Sequence, residues 1–189
     1  MHTPKQFLLS KMSRFDYLEI FAGLIKEGFD PSERNNDAIQ TTSFNGRIEM
    51  VKLLLNDPRV DPGTDHNYAI RWASAGGHIE VVKLLLQDSR VDPSEIYDEY
   101  ENGDDSAIRI ASRKGQIEIV KLLLEDSRVD PTYNDNVTIA IAANRKQFNV
   151  VKLLLEDPRV RKTFSIALYK IDRFYFRRLL NLLRFVQLE

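Results

Sequence analysis

The residues able to do chemistry are few and scattered. Three histidines, His2, His66 and His78, have no second histidine at metal-ligand spacing, and the 189 residues include no cysteine. The lack of cysteine removes disulfides, thiolate metal sites and cysteine nucleophiles together and fits a reducing compartment. No Ser-His-Asp arrangement, P-loop or Gly-x-Gly-x-x-Gly run is present, so acyl transfer, phosphate cradling and dinucleotide binding lack their parts. The densest cluster of acids lies in Glu95–Ser106, with Glu95, Asp98, Glu99, Glu101, Asp104 and Asp105 and no basic residue. A calcium loop there fails on spacing. Asp98, Asn102 and Gly103 fit its first, fifth and sixth places, but Tyr100 fills a ligand place and Arg109 stands where the bidentate Glu belongs. The chain is expected to be no enzyme, and to need no cofactor or metal.

Two segments could instead contact a partner. The acidic stretch carries Tyr97 and Tyr100, which suits a loop contacting a basic target; it equally suits a solvated insertion. The other segment is the basic, aromatic C-terminus, with Arg173, Phe174, Tyr175, Phe176, Arg177, Arg178, Arg184 and Phe185. Clustered arginines with aromatics are a footprint of nucleic-acid or anionic-surface binding, although an end cap needs the same apolar stripe. From Arg159 on, eight Lys/Arg face only Asp172 and Glu189, a balance of +6 inside a total of −1. That total recruits neither nucleic acid nor membrane, and no run approaches the ~18 apolar residues of a membrane span.

What would position these residues is a repeat. Val-Lys-Leu-Leu-Leu occurs at Val51–Leu55, Val82–Leu86, Val120–Leu124 and Val151–Leu155, with starts 31, 38 and 31 residues apart. A fixed period of this size means stacked copies of one small unit. Each copy has a short segment, a break, then a longer amphipathic segment. In the longer one Ile79, Val82, Leu85 and Leu86 follow helical spacing. Glu49, Glu80 and Glu118 fall in its first turn, where the helix dipole favours anions, three residues before Lys52, Lys83 and Lys121. Side by side in the shorter segment lie small residues: Thr42/Ser43, Ala73/Ser74, Ala111/Ser112 and Ala142/Ala143. Asn36, Asn67 and Asn136 precede it and are expected to cap it. Gly46, Gly77 and Gly115 sit at the break; Lys146 replaces glycine in the fourth copy, where a looser turn is expected. Trp72, aligned with Ile110 and Ile141, is expected in the core.

These features resemble the ankyrin repeat family. The resemblance rests on Gly76-Gly77-His78-Ile79-Glu80-Val81-Val82-Lys83-Leu84-Leu85-Leu86 and the preceding Ala-Ile-Arg-Trp-Ala, and covers roughly Asp30 to Val160. The family's Thr-Pro-Leu-His opening is missing: Gln40, Arg71, Arg109 and Ala140 stand at its histidine, which puts that polar tie between repeats in doubt. The unit is also two residues shorter than the family's ~33, around Asp-Pro. The resemblance then implies an all-α, right-handed helix-turn-helix solenoid whose β-hairpin fingers are shortened to turns or absent.

The expected organisation is a diverged N-terminal capping repeat over 1–29, four repeats over 30–60, 61–91, 92–129 and 130–160, and a C-terminal capping repeat over 161–189. Glu95–Ser106 holds the seven residues by which the third repeat exceeds the others. By the resemblance, the chain is a protein-interaction scaffold or adaptor that binds another protein on its concave face. Mapping the family's variable inner positions gives Phe44, Asn45, Ala75, Gly76, Arg113, Lys114, Asn144 and Arg145, to which the insertion adds Tyr97 and Tyr100. These pairs differ between copies while the scaffold repeats. The alternative is nucleic-acid or anionic-surface binding through the basic C-terminal helix; nucleic acid is the less favoured partner. A monomer in the cytoplasm, with the nucleus not excluded, is the expected setting.

Overall fold

Four helix pairs stand side by side because no single pair can cover its own apolar flank. The computed structural model describes residues 14–96 and 106–167. Helix α1 is Arg14–Lys26. The pairs are α2 (Glu33–Phe44) with α3 (Ile48–Leu55), α4 (Thr64–Gly76) with α5 (Ile79–Gln87), α6 (Ala107–Lys114) with α7 (Ile117–Glu125), and α8 (Tyr133–Asn144) with α9 (Phe148–Glu156); α10 is Pro158–Ala167. The first helices of the pairs pack in succession as one row, the second helices as another. At the ends, α1 lies against α3, and α10 against α8 and α9. Among the described residues there is no strand, and the segments around Asp61-Pro62 and Asp130-Pro131 are turns, as the shortened unit requires.

One apolar cluster runs the length of the stack, from Ile39 to Val160. Ile39, Ile70, Ile108 and Ile139 bury from the first row, and Leu54, Leu85, Leu123 and Leu154 from the second. Val82 and Leu85 are fully buried as the stripe predicts, while Leu86 is only half-buried and Val81 is buried in its place. Val81 and Leu86, five positions apart, thus trade roles at the stripe's edges. The small-residue positions are a matter of size: Ser43, Ser74 and Ser112 are fully buried with hydroxyls that meet no acceptor, and Ala143 serves in the fourth unit.

The break closes identically in all four pairs. The amide of Gly46 donates to Ser43 O and that of Arg47 to Thr42 O; Lys146 and Gln147 donate likewise to Ala143 O and Ala142 O. This pairing caps a right-handed helix through one left-handed residue. Gly46 sits at φ +65° and Lys146 at +64°, so the fourth turn is no looser; it forces a lysine into the conformation that glycine takes elsewhere. Gly46 is also needed for space. A Cβ there would lie 2.4 Å from Nδ1 of His78, whose ring reaches over from the next unit.

The asparagines do not cap helices. Arg34–Asn36, Asp65–Asn67 and Asn134–Asn136 each form three consecutive left-handed residues ahead of the regular helix, φ between 50° and 60°. Such residues cost about 1–2 kcal/mol each for ordinary side chains, less for Asn and Asp. The bend points the last asparagine toward the next unit: Asn36 Oδ1 accepts from the Asp61 amide and Asn67 Oδ1 from the Asp92 amide, both at 2.8 Å. The residue at the missing-histidine position holds the bend from inside. Gln40 Nε2 donates to Asn35 O at 2.9 Å, and buried Arg71 donates from Nε to His66 O at 2.8 Å and from Nη2 to Asp65 O at 3.1 Å.

Two stability outcomes follow. Lys146→Gly is expected to raise unfolding stability by about 1 kcal/mol by relieving a left-handed side-chain residue; an unchanged urea midpoint contradicts the reading. Leu85→Ala is expected to cost about 2–5 kcal/mol, with hydrogen exchange accelerating first in the pairs flanking α5; uniform acceleration across all units contradicts it.

Candidate functional site

Asp and Arg two residues apart close every second-row helix, and their geometry decides which surfaces remain available. Arg90 chelates Asp88 through Nε and Nη2, then crosses to the preceding unit, donating from Nη1 to Val60 O at 2.7 Å and from Nη2 to Leu55 O at 2.9 Å. Arg128 does the same to Asp126, Val91 O and Leu86 O. Arg159 repeats it on Asp157, Val129 O and Leu124 O. The last carbonyls of a helix have no partner of their own, so α3, α5 and α7 are each capped by the guanidinium of the following unit. Sequence reasoning missed this clamp, although the signal was present in Asp57/Arg59, Asp88/Arg90, Asp126/Arg128 and Asp157/Arg159 at fixed spacing. It supplies the polar tie that the absent histidine left in doubt.

The clamp sets the titration of its carboxylates. The Arg59 guanidinium beside it holds the Asp57 carboxyl down at about 2, and Arg90, Arg128 and Arg159 hold Asp88, Asp126 and Asp157 below the usual carboxylate range in the same way. The exposed Glu49–Lys52 and Glu80–Lys83 pairs, at 2.8 and 2.7 Å, contribute little by comparison.

The candidate contact residues occupy the ends of the first-row helices, just before the left-handed turn. Phe44, Asn45, Gly76, Lys114 and Arg145 are exposed; Ala75, Arg113 and Asn144 are half-buried. Asn45 turns back on its own helix, Nδ2 to Thr41 O at 2.7 Å. The turn residue His78 is structural, its Nε2 2.9 Å from Phe44 O of the unit before. Tyr97 and Tyr100 lie outside the described residues, as do the basic positions Arg173, Arg177, Arg178 and Arg184. Glu95, at the start of the acidic insertion, is described: it meets His66 Nδ1 at 2.9 Å and accepts from Asn67 Nδ2.

The structure brings together three aromatics that the sequence reading kept apart. Trp72 is not in the core. It is half-buried on the first-row face, edge-on to Phe44 of the previous unit at 5.7 Å between ring centroids and tilted against Tyr68 at 5.5 Å. Alignment with Ile110 misled, because Ile110 is itself buried on that face rather than in the continuous cluster. Phe44, at 47% exposure, is the most exposed large apolar side chain among the described residues. Among the described residues no helix is long and apolar enough to cross a membrane.

Comparison with known proteins is consistent with this geometry. A family model described as ankyrin repeats in three copies matches residues 9–97, and a single ankyrin repeat model matches residues 104–136. No characterised protein matches the chain significantly.

The clamp predicts a pH dependence. Carboxylates with folded pKa values below the unfolded value of ~3.9 add stability above pH ~4 that is lost as pH falls toward 2. Urea midpoints of the wild-type chain are expected to fall over that window, and Asp126→Asn is expected to lower the midpoint at pH 7 and to flatten the acid decline. Parallel declines in the two proteins contradict the assignment.

Proposed function

Because the chain belongs to the ankyrin repeat family, whose repeats are protein-interaction modules, we propose that it is a non-enzymatic scaffold or adaptor. It holds a partner protein across the concave face made by the first-row helices and their turns. It works as a monomer in the cytoplasm, with residues 1–29 and 161–189 serving as caps on four repeats at 30–60, 61–91, 92–129 and 130–160. One observation carries the reading. Positions that bury or clamp keep their residue type from unit to unit, whereas the pairs from Phe44/Asn45 to Asn144/Arg145 change completely, each with at least one member exposed. Side chains released from packing and varied on a rigid frame are what a recognition surface requires.

Lysines on both faces make the test direct. Lys114 and Lys146 lie at the first-row turns, and Lys52, Lys83, Lys121 and Lys152 are exposed along the second row. Amine cross-linking of the full chain to protein captured from its native source is expected to join partner peptides to Lys114 and Lys146. Cross-links confined to the second-row lysines contradict the proposal.

A further inference from the structure

The first-row face is chemically polarised along the stack. Its first two units present the ledge of Phe44, Trp72 and Tyr68, with the Arg71 guanidinium 5.8 Å from the Tyr68 ring centre. Its last two units present cations: Arg113 and Lys114 end α6, and Arg145 and Lys146 follow α8. Neither α6 nor the regular part of α8, from Val137 to Asn144, contains an acid. Of the acids in those units, Glu118, Glu125 and Glu156 lie on the second row, Asp126 and Asp157 are spent in the clamp, and Asp130 and Asp135 precede the regular part of α8, at the opposite end from Arg145. Among the described residues Lys114 and Arg145 take part in no ion pair, in contrast to the exposed second-row lysines Lys52 and Lys83.

Resting on the concave-face reading, we propose that the partner is a protein segment with an aromatic or large apolar anchor at one end and a run of Asp/Glu at the other. The anchor sits against Trp72 and Phe44, and the acidic run lies over Lys114 and Arg145. Each half of this assignment has its own warrant. Half-exposed tryptophan and tyrosine clustered edge to face supply large, rigid contact area and are the side chains that dominate binding energy at protein interfaces. Lys114 and Arg145, exposed and in no ion pair among the described residues, favour carboxylates, which they engage through charge-assisted hydrogen bonds and attract over a Debye length. Neighbouring helices stand about 8–10 Å apart, so crossing from the first unit to the fourth takes about 25–30 Å, roughly eight or nine extended residues.

Trp72 is the only tryptophan in the chain and reports from inside the site. The full-length protein is immobilised for selection of a random 12-residue peptide display library, and enriched peptides are titrated by Trp72 fluorescence. Enrichment of an aromatic followed or preceded by Asp/Glu is expected, with an emission shift on binding. Affinity is expected to fall about tenfold or more in Lys114→Glu/Arg145→Glu and to fall again between 50 and 500 mM salt, on the order expected for losing two charged contacts. Circular dichroism of that variant is expected to match wild type, since both side chains are outside the core. Peptides that shift Trp72 fluorescence but are neutral or basic overturn the partner chemistry and leave the concave-face reading standing. Peptides insensitive to both Lys114→Glu/Arg145→Glu and Trp72→Phe overturn the two together. Tighter binding of a single-stranded RNA 12-mer than of any acidic peptide, lost in the same charge-reversal variant, overturns the assignment to a protein partner.

Discussion

The last carbonyls of a helix cannot be satisfied within it, and in this protein α3, α5 and α7 leave that task to the next unit. The arginine of Asp-x-Arg-Val is fixed at one side by its own aspartate and spends its remaining donors on a carbonyl at the end of the helix before it and on a carbonyl in the connection that follows that helix. An orphaned carbonyl costs about 1–3 kcal/mol when kept from water, so the units are coupled by polar need as well as by apolar contact. The asparagine bridge from Asn36 to Asp61, and from Asn67 to Asp92, couples the first-row side in the same direction. Cooperativity in this stack therefore has a polar rail on each edge of the hydrophobic cluster.

The same arrangement explains where variation is allowed. Residues at the clamp, the left-handed bend and the Schellman-type turn are committed to neighbours, so the positions just ahead of the turn are the ones left over. Across the four units these hold Phe44/Asn45, Ala75/Gly76, Arg113/Lys114 and Asn144/Arg145, so cations enter the row only in the last two units. A rigid frame that fixes backbone ends while leaving one pair of side chains per unit uncommitted presents a partner with a row of independent choices.

Much of this was legible in the amino-acid sequence, because periodicity reports burial directly. The helix pairs, the glycine turns and the buried Val82 and Leu85 follow from spacing and residue type, and the shortened fingers follow from the resemblance to ankyrin repeats. Two of the misreadings share a cause: those of Asn36 with Asn67 and of Trp72 each concerned a residue whose partner lies in another unit. Asn36 and Asn67 carry the composition of a helix cap, and only the left-handed bend, which no local pattern announces, turns them outward. Trp72 was placed in the core by alignment with isoleucines, yet the exposed Phe44 of the neighbouring unit gives it an aromatic surface to rest on. Lys146 was expected to loosen its turn; the four hydrogen-bonded closures show the backbone holding its shape at the side chain's expense. The insertion's Tyr97 and Tyr100 and the basic C-terminal positions fall outside the described residues.

The claim that neighbouring units depend on one guanidinium is most directly tested by residue-resolved hydrogen exchange on Arg128→Met, which keeps the aliphatic stem and removes the donors. The account predicts that protection falls most in the preceding unit, through the last turn of α5 and on to Val91, with α7 less affected although it carries the substitution side. Loss of protection confined to residues 126–129, with α5 unchanged, would contradict it.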